Sequence, residues 1–242
     1  LDTKNNSQLL SDTDAMIAAN PNRWWIYQAR GLARSAMHDA ARATGEFRQA
    51  FELALADKDY ASADTVLTAM SRQHLVDAAL QLVTPHVHEN VRMAIAVARL
   101  SIQKGDQPGG LAVLNEAMGK VSSLPPDQQA MLLSCAGDVY SSVQPEQPDK
   151  ACDAYLQLTK LTPQNAAVYN QLAWLLAVDM TPAKPDQALT YSSKAYQMLS
   201  DRNQFSPSVF DTQGWVLVLN GKIPEGIDIL QKVVDRGATI ES

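Results

Sequence analysis

Apolar and small residues recur along this chain at steps of three and four, interrupted at short intervals by Pro, Gly and Asn. That period predicts helices, with almost no strand signal, because β-branched patches such as Val233-Val234 lie inside helix-period patterns. The breakers are Asn20-Pro21-Asn22, Thr84-Pro85, Lys104-Gly105-Asp106, Leu124-Pro125-Pro126-Asp127, Thr162-Pro163, Thr181-Pro182-Ala183-Lys184-Pro185, Ser206-Pro207 and Asn220-Gly221-Lys222. Pro at a helix start and Gly at a helix end are the expected punctuation. They leave helices of about 12–18 residues, arranged in pairs.

The pairs repeat one another. Phe210, Gln213, Gly214 and Leu217 lie at i, i+3, i+4 and i+7, one face of a first helix; after the Gly221 turn, Gly226, Leu230 and Val233 lie at i, i+4 and i+7 on a second. Ala94, Val97, Ala98 and Ser101, then Gly110, Leu114 and Ala117, reproduce both sets upstream. Leu133, Ala136, Gly137 and Tyr140 lead to Ala151, Tyr155 and Leu158; Tyr169, Leu172, Ala173 and Leu176 lead to Ala188, Ser192 and Ala195. Near the N-terminus Tyr27, Arg30, Gly31 and Arg34 lead to Ala43, Phe47 and Ala50. The weakest unit places Val66 and Ala69 before Ala78 and Leu82 and ends at Pro85, and Leu9 to Ala19 reads as a lone second helix.

This pattern resembles the tetratricopeptide repeat, a helix–turn–helix unit of about 34 residues that spaces an aromatic, Leu-Gly and Tyr before Ala, an aromatic and Pro. The stretches from Tyr169 to Ala177 and from Asp211 to Leu217 are especially similar to the closing repeats of many bacterial members. Arg30, Arg34 and Gln213 depart from the family's apolar preferences. The resemblance implies an all-α fold of antiparallel helix pairs stacked as a right-handed α–α superhelix with a concave face. It spans residues 1–242 as a single array of about six repeats, preceded by the half-repeat helix at about residues 7–20.

The spacing also has a physical reason of its own. Small residues at Gly31, Ala98, Gly137, Ala173 and Gly214 let a first helix approach the second, where Ala43, Ala78, Gly110, Ala151, Ala188 and Gly226 do the same from the other side. One pair leaves an apolar face uncovered, so neighbours must stack.

Composition then narrows the function. Alanine excess, 46% hydrophobic and 19% charged residues suit a folded helical chain. Twenty basic against twenty-six acidic residues leave a net charge of -6, and the deficit lies wholly after Ala56. That balance opposes nucleic-acid binding, which needs a basic face. No run of about eighteen apolar residues predicts membrane insertion. The opening LDTKNNSQLL has no leader pattern; a start at Leu1 suggests a piece of a longer chain or a processed form, and leaves cytoplasm and periplasm both open.

Catalysis is not indicated. No nucleophile elbow, phosphate-cradling glycine loop or zinc helix motif occurs. His86 and His88 flank Val87 with Glu89 beside them but lack further ligands, so a solvated loop is expected and no metal or cofactor is implied. Cys135 and Cys152 read as buried thiols, and His38 and His74 as turn residues.

Binding is the better reading. The stripe one residue past each first-helix core set should face the groove. It presents Trp25, Gln28 and Leu32; Arg92, Ile95 and Arg99; Met131, Ser134 and Asp138; Asn170, Trp174 and Ala177; and Ser208, Asp211 and Trp215. Exposed aromatics beside Asn, Arg and Asp have the composition of a peptide hot spot, although packing of Trp174 and Trp215 between repeats is an equal alternative. The Lys, Asn and Arg set of the family's chaperone-binding branch is not reproduced at Gln28, Leu32, Arg92, Ile95, Asn170 and Trp174. The expected function is a non-catalytic protein–protein interaction module for a peptide or partner protein. The alternative is a structural, self-assembling segment of a larger protein whose activity lies elsewhere, with a homo-oligomer formed through uncapped terminal repeats.

Overall fold

The computed structural model describes residues 3–238. Among them it is all-α, with thirteen α-helices and no strand. In chain order these are α1 (Thr3–Ala19), α2 (Trp24–Ala36), α3 (Ala40–Ala56), α4 (Tyr60–Arg72), α5 (Val76–Val83), α6 (Val91–Lys104) and α7 (Gln107–Met118), then α8 (Pro126–Ser142), α9 (Pro148–Leu161), α10 (Ala166–Trp174), α11 (Pro185–Ser200), α12 (Pro207–Leu219) and α13 (Ile223–Ala238). None of the described helices is long and apolar enough to cross a membrane. The helices form two compact units, divided between Lys120 and Val121. The array expected over 1–242 also extends past the described residues at both ends.

In unit 1, α2 pairs with α3, α4 with α5 and α6 with α7, and α1 packs on α2. The half-repeat helix expected at about residue 7 begins earlier, at Thr3. Phe47, Phe51, Leu67, Met70 and Met93 fill the core. In unit 2 the pairs are α8/α9, α10/α11 and α12/α13, with Tyr169, Ala195 and Val209 at a core completed by Tyr191, Tyr196 and Leu199.

The pair seams are as close as the small residues suggest. A methyl added at Gly31 would stand 2.8 Å from the Phe47 ring, and one at Gly137 would stand 2.5 Å from the Tyr155 ring. At Gly110 it would meet the Ala98 carbonyl oxygen at 2.7 Å, and at Gly226 the Gly214 carbonyl oxygen at 2.7 Å. These are the same contact in two repeats. Backbone lies against backbone there, so each seam excludes a side chain from one helix.

The weak repeat is corrected by one residue. Its buried positions are Ala63, Val66, Leu67 and Met70 on α4 and Ala79 and Val83 on α5, while Ala69, Ala78 and Leu82 are only half-buried. The offsets thus match the other repeats, but Leu67 occupies the place that Gly or Ala takes elsewhere. With a leucine at that seam and only eight residues in α5, the small-residue marker is missing.

Two departures from the family pattern have structural partners. Arg30 bridges Asp14 of α1 at 3.0 Å and Glu46 of α3 at 3.1 Å, so its charge is answered where an apolar residue is usual. Gln213 donates through Nε2 to Ser193 Oγ at 3.3 Å, while its Oε1 is buried without a partner.

Six helix ends close in one way. His38, Lys58, His74, Gly105, Asn203 and Gly221 all take positive φ. In each case the next residue's N–H reaches back five residues to a carbonyl, as from Asp39 to Arg34 at 2.9 Å and from Lys222 to Leu217 at 2.9 Å. This is the Schellman closure, which satisfies carbonyls that the helix leaves open. At three of these turns the same N–H donor is an aspartate that caps the following helix: Asp39 accepts from Arg42 N–H, Asp59 from Ser62 N–H and Asp106 from Gly109 N–H.

Candidate peptide groove

The α9–α10 turn and the α11–α12 turn bring two helix starts together in unit 2. Asn165 caps α10 by accepting from Ala167 N–H at 3.1 Å, and Pro207 opens α12 at the position where a missing N–H costs nothing. The helices pack on each other. Tyr169, Leu172 and Ala173 on α10 and Phe210, Gln213 and Gly214 on α12 turn inward and are buried. The next stripe of each helix is thereby left facing a groove of about 920 Å³, within the range of ligand sites. Asn170, Trp174, Arg202, Ser208 and Asp211 all line it.

Asn170 is the unusual member. It is only 8% exposed, and its Oδ1 is buried with no hydrogen-bond partner. A buried amide oxygen without a partner costs about 1–3 kcal/mol, so such atoms are rare in folded proteins. Trp174 is 37% exposed and presents an indole to the same groove. Asp211 is exposed on α12 and has no ion-pair partner within the described residues. Arg202, also in the lining, donates to Gln164 Oε1 at 3.3 Å.

Four predicted stripe residues, Asn170, Trp174, Ser208 and Asp211, therefore share one groove. Trp215 holds the matching register position on α12 and is 43% exposed, but it lies outside the groove lining. Asp138, on α8, is exposed and accepts a 2.6 Å hydrogen bond from Tyr155 Oη across the α8/α9 seam. Burial, reinforced by that carboxylate, pushes the Tyr155 hydroxyl well above its ordinary pKa.

Two stripe positions need correction. Ile95 is buried in α6, and Ala177 is buried because the chain after Trp174 widens into a π-helical turn, Leu175–Asp179, which rotates it inward. Met131 and Ser134 are half-buried.

In unit 1, Trp25 is exposed on α2, and Gln28 has the same register place as Asn170, with its Oε1 likewise buried and unpartnered. Arg92 and Arg99 project from α6 towards the field of Asp64 on α4. Burial raises the Asp64 carboxyl above its usual range, and the two arginines oppose that shift. Asp64 escaped the sequence reading because it belongs to the misregistered repeat; the Ala63, Val66, Leu67, Met70 spacing would have found it.

The remaining candidates have local roles. His86 Nδ1 lies 2.7 Å from Glu89, and His88 lies 3.6 Å from Glu116. Among the described residues no group of three or more His, Cys, Asp or Glu side chains is placed to hold a metal. Cys135 and Cys152 are buried and not joined in a disulfide, and burial raises the pKa of Cys152.

No family model and no curated protein sequence matches the chain. Solved structures do. The C-terminal part of a TPR repeat-containing protein from Cytophaga hutchinsonii superposes with a TM-score of 0.62 at 15% identity, covering 96% of this chain and 95% of that one. MamA from AMB-1 gives a TM-score of 0.55 at 15% identity, covering 74% of this chain and 92% of that one. Likeness at this identity establishes the repeat fold.

Proposed function

We propose that this chain, a protein of tetratricopeptide-repeat fold, is a non-catalytic interaction module that holds an extended segment of a partner protein in the groove between α10 and α12. The observation that carries the reading is Asn170. A primary amide offers a donor and an acceptor side by side, and a peptide group presents the complementary pair. A bound backbone would satisfy the buried Oδ1, and the Trp174 indole beside it supplies the apolar area that a hot spot needs. The lining contains one carboxylate and neither His nor Cys, so it offers no acid–base pair of the kind catalysis commonly uses.

Replacing Trp174 and Trp215 together by Ala is expected to weaken partner binding by about 2 kcal/mol or more. Helix content by circular dichroism should stay unchanged, since both indoles are partly exposed. A fall in helix content would mean that the indoles hold the repeats together.

Self-assembly is the second reading. Ile223, Ile227 and Val234 are more than half exposed on α13, and Leu9 and Met16 are exposed on α1. Apolar helix faces of this kind are what stacked repeats normally cover. On this reading light scattering finds a mass above the monomer that Ile227→Lys returns to the monomer; a monomer at every concentration ends it.

A further inference from the structure

We infer that the segment held between α10 and α12 carries a lysine or arginine side chain, which enters beside Asp211 and lies against the Trp174 indole. This rests on the peptide-binding reading above and adds the chemistry of the occupant.

Unit 2 is where the acidic excess lies: residues 121–242 contain thirteen acidic and eight basic residues, against thirteen and twelve in residues 1–120. Three of its eight cations lie over aromatic rings. Lys194 stands 4.3 Å from the Tyr169 ring centroid and donates to the Tyr169 hydroxyl at 2.8 Å. Lys150 lies 5.4 Å from the Tyr140 ring centroid and Arg236 lies 4.6 Å from that of Phe205. Asp211 has no ion-pair partner among the described residues, and it lines the same groove as the partly exposed Trp174 indole. A cation between a carboxylate and an indole gains both a charge-assisted hydrogen bond and a cation–π contact. The groove's own cation, Arg202, donates to Gln164 Oε1, and Asn165 already caps α10. The Asp211 carboxylate is thus the group in the lining that would select a basic residue.

The test is selection of a displayed library of random peptides on the whole protein, followed by titration of the enriched peptides. Enriched sequences should carry Lys or Arg and bind more weakly as salt rises through physiological ionic strength. Asp211→Asn should weaken them about tenfold while the melting temperature is unchanged, because Asp211 is exposed. Enrichment of acidic or uncharged sequences, or indifference to Asp211→Asn, overturns the basic occupant while leaving the groove reading in place if Asn170→Leu still abolishes binding. Enriched peptides indifferent to Asn170→Leu, or no enrichment at all, overturn both.

Discussion

Replacing Asn170 by leucine is expected to abolish peptide capture and at the same time to stabilise the fold. The side chain is buried, and its Oδ1 has no partner in the unliganded protein. The free protein therefore carries a desolvation cost of about 1–3 kcal/mol that an apolar side chain of similar volume removes. For a chain of this length, each kcal/mol regained corresponds to roughly 2–4 °C in melting temperature. The same substitution deletes the amide that pairs with a peptide backbone, and binding should fall by about 2–4 kcal/mol. Thermal melting and peptide titration on one variant read both effects. If Asn170 were only a structural residue, the leucine variant would melt lower; if it were an idle one, binding would not change.

Gly226→Leu should destabilise unit 2 by about 3 kcal/mol. A Cβ at this position would stand 2.7 Å from the Gly214 carbonyl oxygen and 2.7 Å from Val218 Cγ2, with Val218 N at 3.2 Å. Two of these three neighbours are backbone atoms of α12, so relief requires the whole helix to move away from α13. Gly214→Leu attacks the same seam from the other side, but its Cβ first meets the Leu230 side chain at 2.6 Å, and Leu230 is only half-buried and can give way. The contrasting position is Gly45 inside α3, where an added methyl meets nothing within 4 Å. Gly45→Ala should therefore stabilise by about 1 kcal/mol through helix propensity alone. Urea unfolding of the three variants separates seam packing from propensity. Equal midpoints for Gly226→Leu and the parent would show that α12 and α13 do not meet as described.

These seams explain how much of the fold could be read from residues alone. Wherever Gly or Ala stands at both facing positions, as at Gly31/Ala43, Ala98/Gly110, Gly137/Ala151, Ala173/Ala188 and Gly214/Gly226, the pair and its register were legible. At α4/α5 the first of those positions is Leu67, the marker disappears, and the reading slipped by one residue, taking Asp64 out of view. The candidate site was legible as a stripe but not as a groove. Period assigns Asn170, Trp174 and Asp211 to neighbouring faces; only packing shows that the α9–α10 and α11–α12 turns enclose space between them. Burial within a stripe was equally hidden. Ile95 follows the groove-facing spacing and is nevertheless covered, and Ala177 is displaced by a π-helical turn that a 3.6-residue period does not contain.

The Schellman closure at six helix ends has a consequence for how such a chain diverges. One backbone turn is spelled here with His, Lys, Asn or Gly. A left-handed residue other than Gly costs roughly 1–2 kcal/mol at each of four turns, a load that the closing hydrogen bonds and the capping aspartates help to offset. Glycine is thus dispensable at these corners, and a sequence can drift through them without altering the path of its backbone. The fold is carried at its corners and seams by backbone geometry rather than by any one residue type.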